Sequence, residues 1–464
     1  MAKLSLSVVS FLLVLGLGCA THVREGSWQV GECQISNIDA REPSYTVRSE
    51  GGETEFWDNR NDEFRCAGVS IRRHRIQQRG LLLPVYHNAP VLVYVVQGRG
   101  TYGVLNSGCP ETFEAESAQQ QYSRKERSER SFREDRHQKV EDVKQGDVIA
   151  VRAGEAHWVY NDGDQELVLV VFHHNANYAN QLDQNPRSFF LAGNPNNEQE
   201  EEQYMRLRGG KEAQSELGNV FRGFHDELLA EAFGVDVETA RKLRGQNDER
   251  GHIIRAEKSI KLIQPYGRSR REDEGYHNDN GLEETVCSAR VKENLDRASR
   301  ADFYNPRAGR FSTLNSFNLP ILRFLQLSAA RGVLHRNAIF SPHWYANAHS
   351  LIYVTRGASR VQIVNHRGHA VFDGQLREGQ VVVVPQNFAV VKQAGEEGFE
   401  WVAFNTNDNA IINTLSGRTS AIRGLPVDVV ANAYQVSREE AERLKFSRRE
   451  TVIFSGTQRR PASA

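Results

Sequence analysis

The chain contains 464 residues, of which 39% are hydrophobic and 25% are charged. This length allows two or three domains, and the composition is ordinary for a soluble globular protein. The formal net charge is −1 at pH 7, which excludes the strongly basic balance typical of nucleic-acid-binding proteins, so we expect no nucleic-acid partner.

The first 20 residues have the pattern of a secretory signal peptide. Lys3 is followed by an apolar run from Leu4 to Leu17 and then by the small residues Gly18, Cys19 and Ala20. Because signal peptidase cleaves after small residues, we predict cleavage between Ala20 and Thr21. The run is shorter than the roughly 20 apolar residues that cross a bilayer. No comparable run follows, so we expect a soluble mature protein with no membrane partner.

Cysteine usage predicts two disulfides. Removal of the signal peptide removes Cys19 and leaves Cys33, Cys66, Cys109 and Cys287. An even number of cysteines in an oxidising pathway is typical of a disulfide framework. Four cysteines allow three pairings, and their spacing does not choose among them.

Three segments recur in the same order in the two halves of the chain. Residues 91–98 resemble 350–357, residues 146–151 resemble 379–384, and residues 222–235 resemble 423–436. Each copy of the third segment is followed by a helical pattern, over 237–243 and 438–444. Repeats that keep their order predict a duplicated domain.

Short runs rich in Val, Ile and Tyr fill both copies, for example 167–172, 359–364 and 400–404. Runs of this kind, bounded by Gly, Pro and Asn, are typical of strands in a sandwich or barrel. We therefore predict a mainly β fold with two β-barrels, each followed by a small helical arm. Gly98 and Gly146, at the end of one strand and the start of the next, resemble the two motifs of the cupin jelly roll. The resemblance implies a bicupin.

The first copy carries two polar insertions, at 107–144 and 186–217. They contain glutamine and glutamate runs at 119–121 and 198–203, and we predict surface loops with partial disorder. Selection for composition and neutral drift in an exposed loop both account for these runs.

Cupin enzymes hold a metal with two histidines and a glutamate from the first motif and a histidine from the second. Counting back from Gly98 places Pro84, Tyr86 and Val91 at the first three positions, and His157 takes the fourth. His87 lies beside this set, and its direction is left open.

In the second copy the corresponding residues are His343, Tyr345, Ser350 and Val390. Each set contains one histidine, so we predict no metal, no cofactor and no catalytic residue in either barrel. His157 and His343 are interpreted as hydrogen-bonded histidines in a barrel mouth. A weak copper or zinc site that recruits Tyr86, or a small-ligand pocket, is the alternative.

Two further basic clusters receive structural interpretations. His173 and His174 are neighbours near a strand end, so their side chains point to opposite faces and share no metal. The arginine-rich segment 72–75 alternates with apolar residues and predicts a half-exposed strand.

A polar, charged tract over 268–280 ends at Asn280-Gly281 and is followed by Cys287. Such a tract is too polar to bury and is expected to be exposed. The segment resembles the processing site of the legumin-type (11S) seed storage globulins, and the resemblance extends over essentially the whole mature chain. It implies cleavage between Asn280 and Gly281 by an asparaginyl endopeptidase. It also implies disulfides Cys33–Cys66 and Cys109–Cys287, the second joining the two product chains.

The resemblance implies a domain order and an assembly. The expected segments are a signal peptide at 1–20, an N-terminal cupin domain with its arm at 21–245 (acidic chain), a charged mobile linker at 246–280, and a C-terminal cupin domain with its arm at 281–464 (basic chain). Family members form homotrimers that stack into homohexamers after cleavage. Helix faces that contact the neighbouring protomer, or alternatively pack within the domain, are predicted at Leu228, Leu229, Ala232 and Phe233 and at Val429, Val430, Ala433 and Tyr434.

Composition agrees with a nitrogen reserve, since there are about four arginines for each lysine and Met occurs twice. The predicted function is a seed storage protein that travels through the endoplasmic reticulum to a protein storage vacuole and catalyses no reaction. The alternatives are a metal-binding cupin oxidoreductase and a small-ligand-binding bicupin.

Overall fold

The computed structural model describes residues 33, 35–106, 109, 113–114, 136–138, 140–194, 218–245, 247–258, 260 and 289–456. In the first half of the chain the elements are β1 Tyr45–Ser49, β2 Gly52–Phe56, α1 Asp62–Ala67, β3 Val69–Ile76, β4 Gly80–His87, β5 Val91–Gln97, β6 Arg99–Leu105, β7 Phe113–Glu114, β8 Arg136–His137, β9 Val140–Lys144, β10 Asp147–Val151, β11 Ala156–Tyr160, β12 Leu167–His174, β13 Ser188–Phe190, α2 Asp226–Phe233, α3 Val237–Leu243 and β14 Ile253–Arg255.

In the second half they are β15 Lys292–Asn294, a 3₁₀ turn Ala298–Arg300, β16 Phe303–Asn305, β17 Gly309–Leu314, α4 Leu322–Leu325, β18 Ser328–Leu334, β19 Ile339–Tyr345, β20 Ser350–Val364, β21 Ala370–Arg377, β22 Val381–Val384, β23 Ala389–Asn405, β24 Ile412–Thr414, α5 Ala421–Gly424, α6 Val427–Tyr434, α7 Arg438–Phe446 and β25 Ile453–Phe454. Within the described residues, no helix is long and apolar enough to cross a membrane.

The N-terminal barrel consists of two antiparallel sheets. One has the strand order β1-β2-β3-β12-β5-β10-β15, and the other has the order β13-β4-β11-β6-β9 with β14 also paired to β4. Side chains from both sheets meet in one buried apolar cluster that includes Ile76, Leu82, Val93, Val159 and Leu169. The mainly β, jelly-roll prediction is confirmed for this half.

The C-terminal barrel has the same plan with longer strands. Its sheet runs β16-β17-β18-β23-β19-β24, and β20 pairs with β21, β22 and β23. Strand β20 spans 15 residues where the first copy has two strands, β5 and β6. Gly98 and Gly357 mark the equivalent bend, with φ of 85° and 72°. An added Cβ at Gly357 would lie 2.3 Å from the carbonyl oxygen of Gly398, so only glycine fits this bend.

The two barrels pack against each other through a third apolar cluster with members from both halves. Phe172 on β12 stacks on Phe404 on β23 with ring centroids 5.1 Å apart and planes at 5°. Because successive strand residues point to opposite faces, Val171 fills the N-terminal barrel while Phe172 contacts the other barrel. Burial on both faces explains why β12 is a continuous apolar run.

Strand β3 differs from its prediction. The segment 72–75 was expected to be half exposed, but Arg72, Arg73 and His74 are all buried. The reason is position, since β3 lies between β2 and β12. One of its faces packs in the barrel core and the other packs against the second barrel. Arg73 donates to Tyr353 Oη of the C-terminal barrel at 2.8 Å and pairs with Glu55 at 2.5 Å.

The linker expected over 246–280 is ordered in its first part. Strand β14 pairs with β4, and Ile253 is fully buried in the N-terminal barrel core. His252 is buried beside it. An isoleucine that completes the core overrides the polarity of its neighbours, so this part of the predicted linker belongs to the barrel.

The insertions are described only in part. Strands β7 and β8 pair with each other within 107–144, and β13 pairs with β4 at the start of 186–217. The glutamine and glutamate runs at 119–121 and 198–203 lie outside the described residues.

The helical arms carry clear capping signals. Asp236 caps α3 by accepting from the backbone N–H of Thr239 at 2.9 Å, and Ser437 forms a capping box with Glu440 on α7. In the first arm α2 and α3 pack as a pair with little burial, since Leu229, Ala230 and Ala240 make up its buried apolar core.

Candidate functional site

Strand pairing corrects the alignment of the cupin ligand positions in the N-terminal barrel. His157 on β11 pairs with Val85, whereas the equivalent Val390 on β23 pairs with His343. Three residues separate β4 from β5, and four separate β19 from β20. Because this loop is shorter, the residues at the first two cupin ligand positions of the N-terminal barrel are Val85 and His87. They are not Pro84 and Tyr86, which counting back from Gly98 had indicated.

The residues named by spacing therefore have other roles. The ring of Tyr86 stacks on Phe189 with centroids 4.9 Å apart and planes at 7°, and Tyr86 does not join His157. Val91 is fully buried in the apolar core. Within the described residues, no group of three or more His, Cys, Asp or Glu side chains is placed to hold a metal ion.

His87 is the side chain whose direction the sequence left open, and it points into the barrel. Its ring centroid lies 5.2 Å from that of His157 and 4.6 Å from that of His173. Ser188 Oγ lies 3.2 Å from His87 Nδ1 and accepts from Arg72 Nη1 at 2.8 Å. Since Ser188 accepts from the arginine, its own proton is available to donate to His87.

A second pair of histidines, which the sequence reasoning missed, lies on the same side of the barrel. Thr54 Oγ1 is 2.7 Å from His74 Nδ1 and 2.6 Å from His252 Nε2. A hydroxyl has one hydrogen, so Thr54 donates to one ring and accepts from the other. All three side chains are buried. The signal for this pair was weak, because His252 comes from a segment that reads as polar linker.

Burial keeps all five histidines neutral. It lowers the pKa of His157 and His252 to about 4, and it lowers the pKa values of His74, His87 and His173 well below the ordinary value. The positive charge of Arg72 contributes to each lowering. Histidines that stay neutral through the physiological range do not exchange protons with a substrate near pH 7.

Three buried polar atoms in this group have no hydrogen-bond partner among the described residues. They are His157 Nδ1, His173 Nε2 and Tyr102 Oη, and the Tyr102 ring stacks on His157 with centroids 5.7 Å apart. Unsatisfied buried groups of this kind accept ordered water or a small polar ligand.

His173 and His174 lie on opposite faces of β12, as their spacing predicts. His173 faces His87, while His174 Nδ1 lies 3.1 Å from the side-chain nitrogen of Asn177. The two rings do not form one site.

The C-terminal barrel places a lysine beside its one interior histidine. His343 Nδ1 donates to the carbonyl oxygen of Ser341 at 2.7 Å, so Nε2 is free to accept from Lys392 Nζ at 3.5 Å. Lys392 Nζ also lies 5.1 Å from the ring centroid of Phe340 and 5.3 Å from that of Trp401. Burial lowers the pKa of Lys392 to about 7.

The other residues at the second set of ligand positions are structural. Tyr345, Ser350 and Val390 are buried, and burial raises the pKa of Tyr345 to about 12. The described part of this barrel offers a metal one imidazole beside a competing ammonium.

The predicted contact residues of the two arms fall into a buried group and an exposed group. Leu229 and Val430 are buried, and Leu229 packs in the apolar core of its own arm, which fits the intradomain alternative. Leu228 is 58% exposed, Phe233 52%, Val429 47% and Tyr434 53%. Ala232 and Ala433 are exposed as well. Exposed apolar side chains at equivalent positions of both arms form a surface available to a partner.

The structure describes three of the four cysteines that were predicted to form disulfides. Cys33 and Cys66 are joined in one disulfide, and Cys109 is also disulfide-bonded. Cys287, the predicted processing residues Asn280 and Gly281, and the predicted signal cleavage residues Ala20 and Thr21 lie outside the described residues.

The chain is similar to known proteins along nearly its whole length. A family model described as Cupin matches residues 36–197 and 293–442, one region in each barrel. The 11S globulin seed storage protein 1 of Carya illinoinensis is 47% identical over 99% of this chain and 98% of its own. The 11S globulin subunit beta of Cucurbita maxima is 43% identical over 98% of each chain.

Solved structures that resemble this chain include 11S globulins. The coconut allergen cocosin has a TM-score of 0.79 and 47% identity, covering 91% of this chain and 100% of its own. The 11S globulin from Wrightia tinctoria, a structure described as revealing an auxin binding site, has a TM-score of 0.79 and 41% identity over 92% of this chain and 97% of its own. With a cupin match in each barrel and relatives of this identity along its length, the protein belongs to the legumin-type 11S globulins, the seed storage proteins of the cupin superfamily.

Proposed function

We propose that the protein is a nutrient reservoir that catalyses no reaction. The observation that carries this proposal is similarity to named seed storage globulins over almost the whole chain. The barrel interiors support it, because their histidines are neutral and the described residues contain no metal-holding group. A cupin oxidoreductase would need ligands where Val85, Val91 and Val390 stand.

The proposed maturation is removal of residues 1–20 followed by cleavage between Asn280 and Gly281. An asparaginyl endopeptidase would produce an acidic chain, 21–280, and a basic chain, 281–464. Cys109 is disulfide-bonded, and Cys33 and Cys66 are bonded to each other. Cys287 is therefore the remaining cysteine of the mature chain, which supports the interchain bond Cys109–Cys287.

The proposed assembly is a homotrimer that stacks into a homohexamer. Its support is the exposed apolar face of each arm, which includes Leu228 and Phe233 in the first and Val429 and Tyr434 in the second. Free in water, such faces are unfavourable, and a neighbouring protomer would cover them. The proposed route is the endoplasmic reticulum and then a protein storage vacuole, in keeping with the signal-peptide pattern of residues 1–20.

The test of maturation is mass and N-terminal sequence of protein purified from its native tissue, with and without reduction. Two chains that separate only after reduction and denaturation, the smaller starting at Gly281, are expected. A single uncut chain in both conditions would contradict the processing proposal.

The test of assembly is Leu228→Asp, with Leu182→Asp as a matched control because Leu182 is equally exposed outside the arms. Light scattering of the uncut chain should find monomers for the first variant and trimers for the second. Trimers of unchanged stability in Leu228→Asp would exclude this face of the arm from the interface.

A small-ligand role is a second candidate, favoured by the unpartnered atoms of His157, His173 and Tyr102. The relative from Wrightia tinctoria, described as having an auxin binding site, makes an auxin the natural probe. Calorimetric titration should show saturable binding that His157→Leu removes. Absence of saturable heat, or binding that survives the substitution, would reject this site.

A further inference from the structure

In each half of the chain, the segment that precedes the barrel, here called the leading segment, packs on the barrel of the other half. The segment that enters the C-terminal half, residues 291–295, lies along the edge of β10 in the N-terminal barrel. The segment that enters the N-terminal half, residues 35–41, lies against β21 and β22 of the C-terminal barrel. The two halves therefore exchange their leading segments.

The first exchanged segment is a full sheet strand. Strand β15 pairs with β10 in the register Asp147 with Asn294, Val148 with Glu293 and Ile149 with Lys292. The ladder extends on both sides of β15. The N–H of Ala150 donates to the carbonyl of Val291 at 2.8 Å, and the N–H of Leu295 donates to that of Gly146 at 2.9 Å.

Side chains fix this strand in place. Val291 and Leu295 are buried in the apolar cluster between the barrels. The Asn294 side chain donates to Asp147 Oδ1 at 2.8 Å and to the carbonyl of Gln145 at 3.0 Å. Main-chain bonds supply affinity in such strand addition, and the buried side chains supply specificity.

The second exchanged segment is shorter and is held by apolar side chains. Ile35 and Ile38 are buried in the core cluster of the C-terminal barrel. The N–H of Ile38 donates to the carbonyl of Val371 at 2.8 Å. Arg41 and Val381 exchange both backbone hydrogen bonds, at 2.8 and 2.9 Å.

The two contacts are equivalent under the internal duplication. Residues 146–151 correspond to 379–384, so Val148 occupies the same place as Val381. Val148 pairs with Glu293, and Val381 pairs with Arg41. The same edge position of each barrel is thus covered by a segment from the other half, a strand in one case and a single bridge in the other.

We propose that this reciprocal strand exchange holds the acidic and basic chains together after cleavage, independently of the disulfide at Cys109. The inference rests on the proposed cleavage at Asn280-Gly281. Residues 35–41 lie on the acidic side of that bond and 291–295 on the basic side, so each product chain completes the other's sheet. The disulfide then secures an association that the fold already provides.

The experiment uses the full chain with Cys109→Ser and Cys287→Ser and a recognition sequence for a site-specific protease within 268–280. The introduced site makes the result independent of natural processing, so failure of the natural cut and failure of the exchange are distinguishable. After complete cutting, both chains should elute together in equal amounts on native gel filtration and separate only in denaturant. Chains that elute separately in native buffer would overturn the proposal.

Asn294→Ala shows whether the exchanged strand holds the chains. It removes two side-chain hydrogen bonds to the acidic chain and a third, accepted from the backbone N–H of Asp296 in its own chain. The cut particle should therefore dissociate about tenfold faster in urea, whereas the unfolding rate of the uncut chain, which keeps the segment tethered, should change much less. Asn432→Ala is the matched control, since the Asn432 side chain donates to the carbonyl of Asp428 in its own helix. Equal dissociation rates for the two variants would show that β15 does not hold the cut chains.

Discussion

The two barrels share one fold but have different polar interiors. The described part of the N-terminal barrel contains five buried neutral histidines near Arg72, whereas the C-terminal barrel contains His343 against Lys392. Outside these places both interiors are closely packed Val, Ile, Leu and aromatic side chains. The duplication preserved strands and bends while the polar positions diverged, so the frame depends on apolar packing and tolerates different buried polar groups. The two interiors should then respond differently to pH and to substitution.

The largest expected difference is acid sensitivity of the N-terminal barrel. An unfolded histidine has a pKa near 6.5, and burial lowers the pKa of His157 and His252 to about 4. Stability from keeping each ring neutral is fully present above about pH 6.5 and is lost as pH falls through the folded pKa. His157 and His252 each account for about 3 kcal/mol. Burial lowers the pKa values of His74, His87 and His173 in the same direction, so the N-terminal barrel should lose more stability in acid than the C-terminal barrel.

Hydrogen exchange at pH 7, 5 and 4, corrected for intrinsic rates, measures this difference. Peptides from β11 and β12 should lose protection before peptides from β19 and β23. His157→Leu should reduce the loss between pH 7 and 4 by about 3 kcal/mol, and the exposed His366→Leu should not. Equal loss of protection in both barrels would contradict the assignment to the histidines.

A threonine in each barrel offers a smaller and cleaner comparison. Thr54 bonds His74 and His252, whereas the buried Thr414 Oγ1 has no partner within the described residues. Thr54→Val leaves two buried ring nitrogens unpaired and should destabilise by about 2 to 3 kcal/mol. Thr414→Val removes an unsatisfied hydroxyl and should be neutral or stabilising by up to about 1 kcal/mol.

Urea unfolding followed by tryptophan fluorescence measures both variants. The expected result is a lower midpoint for Thr54→Val and an unchanged or higher one for Thr414→Val. If both variants lost the same stability, the hydrogen-bond explanation would fail, because loss of hydroxyl packing alone would account for them.

The sequence predicted the frame because the frame is encoded locally. Repeats 91–98 and 350–357 became β5 and the start of β20, and their terminal glycines take the positive φ that the bend requires. Repeats 222–235 and 423–436 include α2 and α6. Apolar runs, turn glycines and helix caps are short-range signals, and each agreed with the fold.

The polar interiors were not predictable because they depend on long-range register. A loop one residue shorter between β4 and β5 turned His87 inward, and no local pattern distinguishes that loop from its counterpart. His252 joins Thr54 across 198 positions. Lys392 is buried where an exposed lysine is the ordinary expectation. Strand pairing between distant segments decides all three.

The smallest expected difference between the barrels comes from Lys392, which makes stability depend on pH above about pH 7 and not below it. Its folded pKa of about 7 is lower than that of an unfolded lysine, about 10.4, so stability is full above pH 10.4 and is lost as pH falls toward 7. Lys392→Met keeps the volume and removes this loss, but it leaves His343 Nε2 without its donor. The net effect at pH 7 should be stabilisation of about 1 to 2 kcal/mol, which shrinks as pH approaches 10. Urea midpoints at pH 7 and pH 9.5, with the exposed Lys258→Met as control, measure it. A variant that is less stable than the parent at pH 7 would mean that the contacts of Lys392 with His343, Phe340 and Trp401 outweigh the burial of its charge, and that this barrel, unlike the other, gains stability from its polar interior.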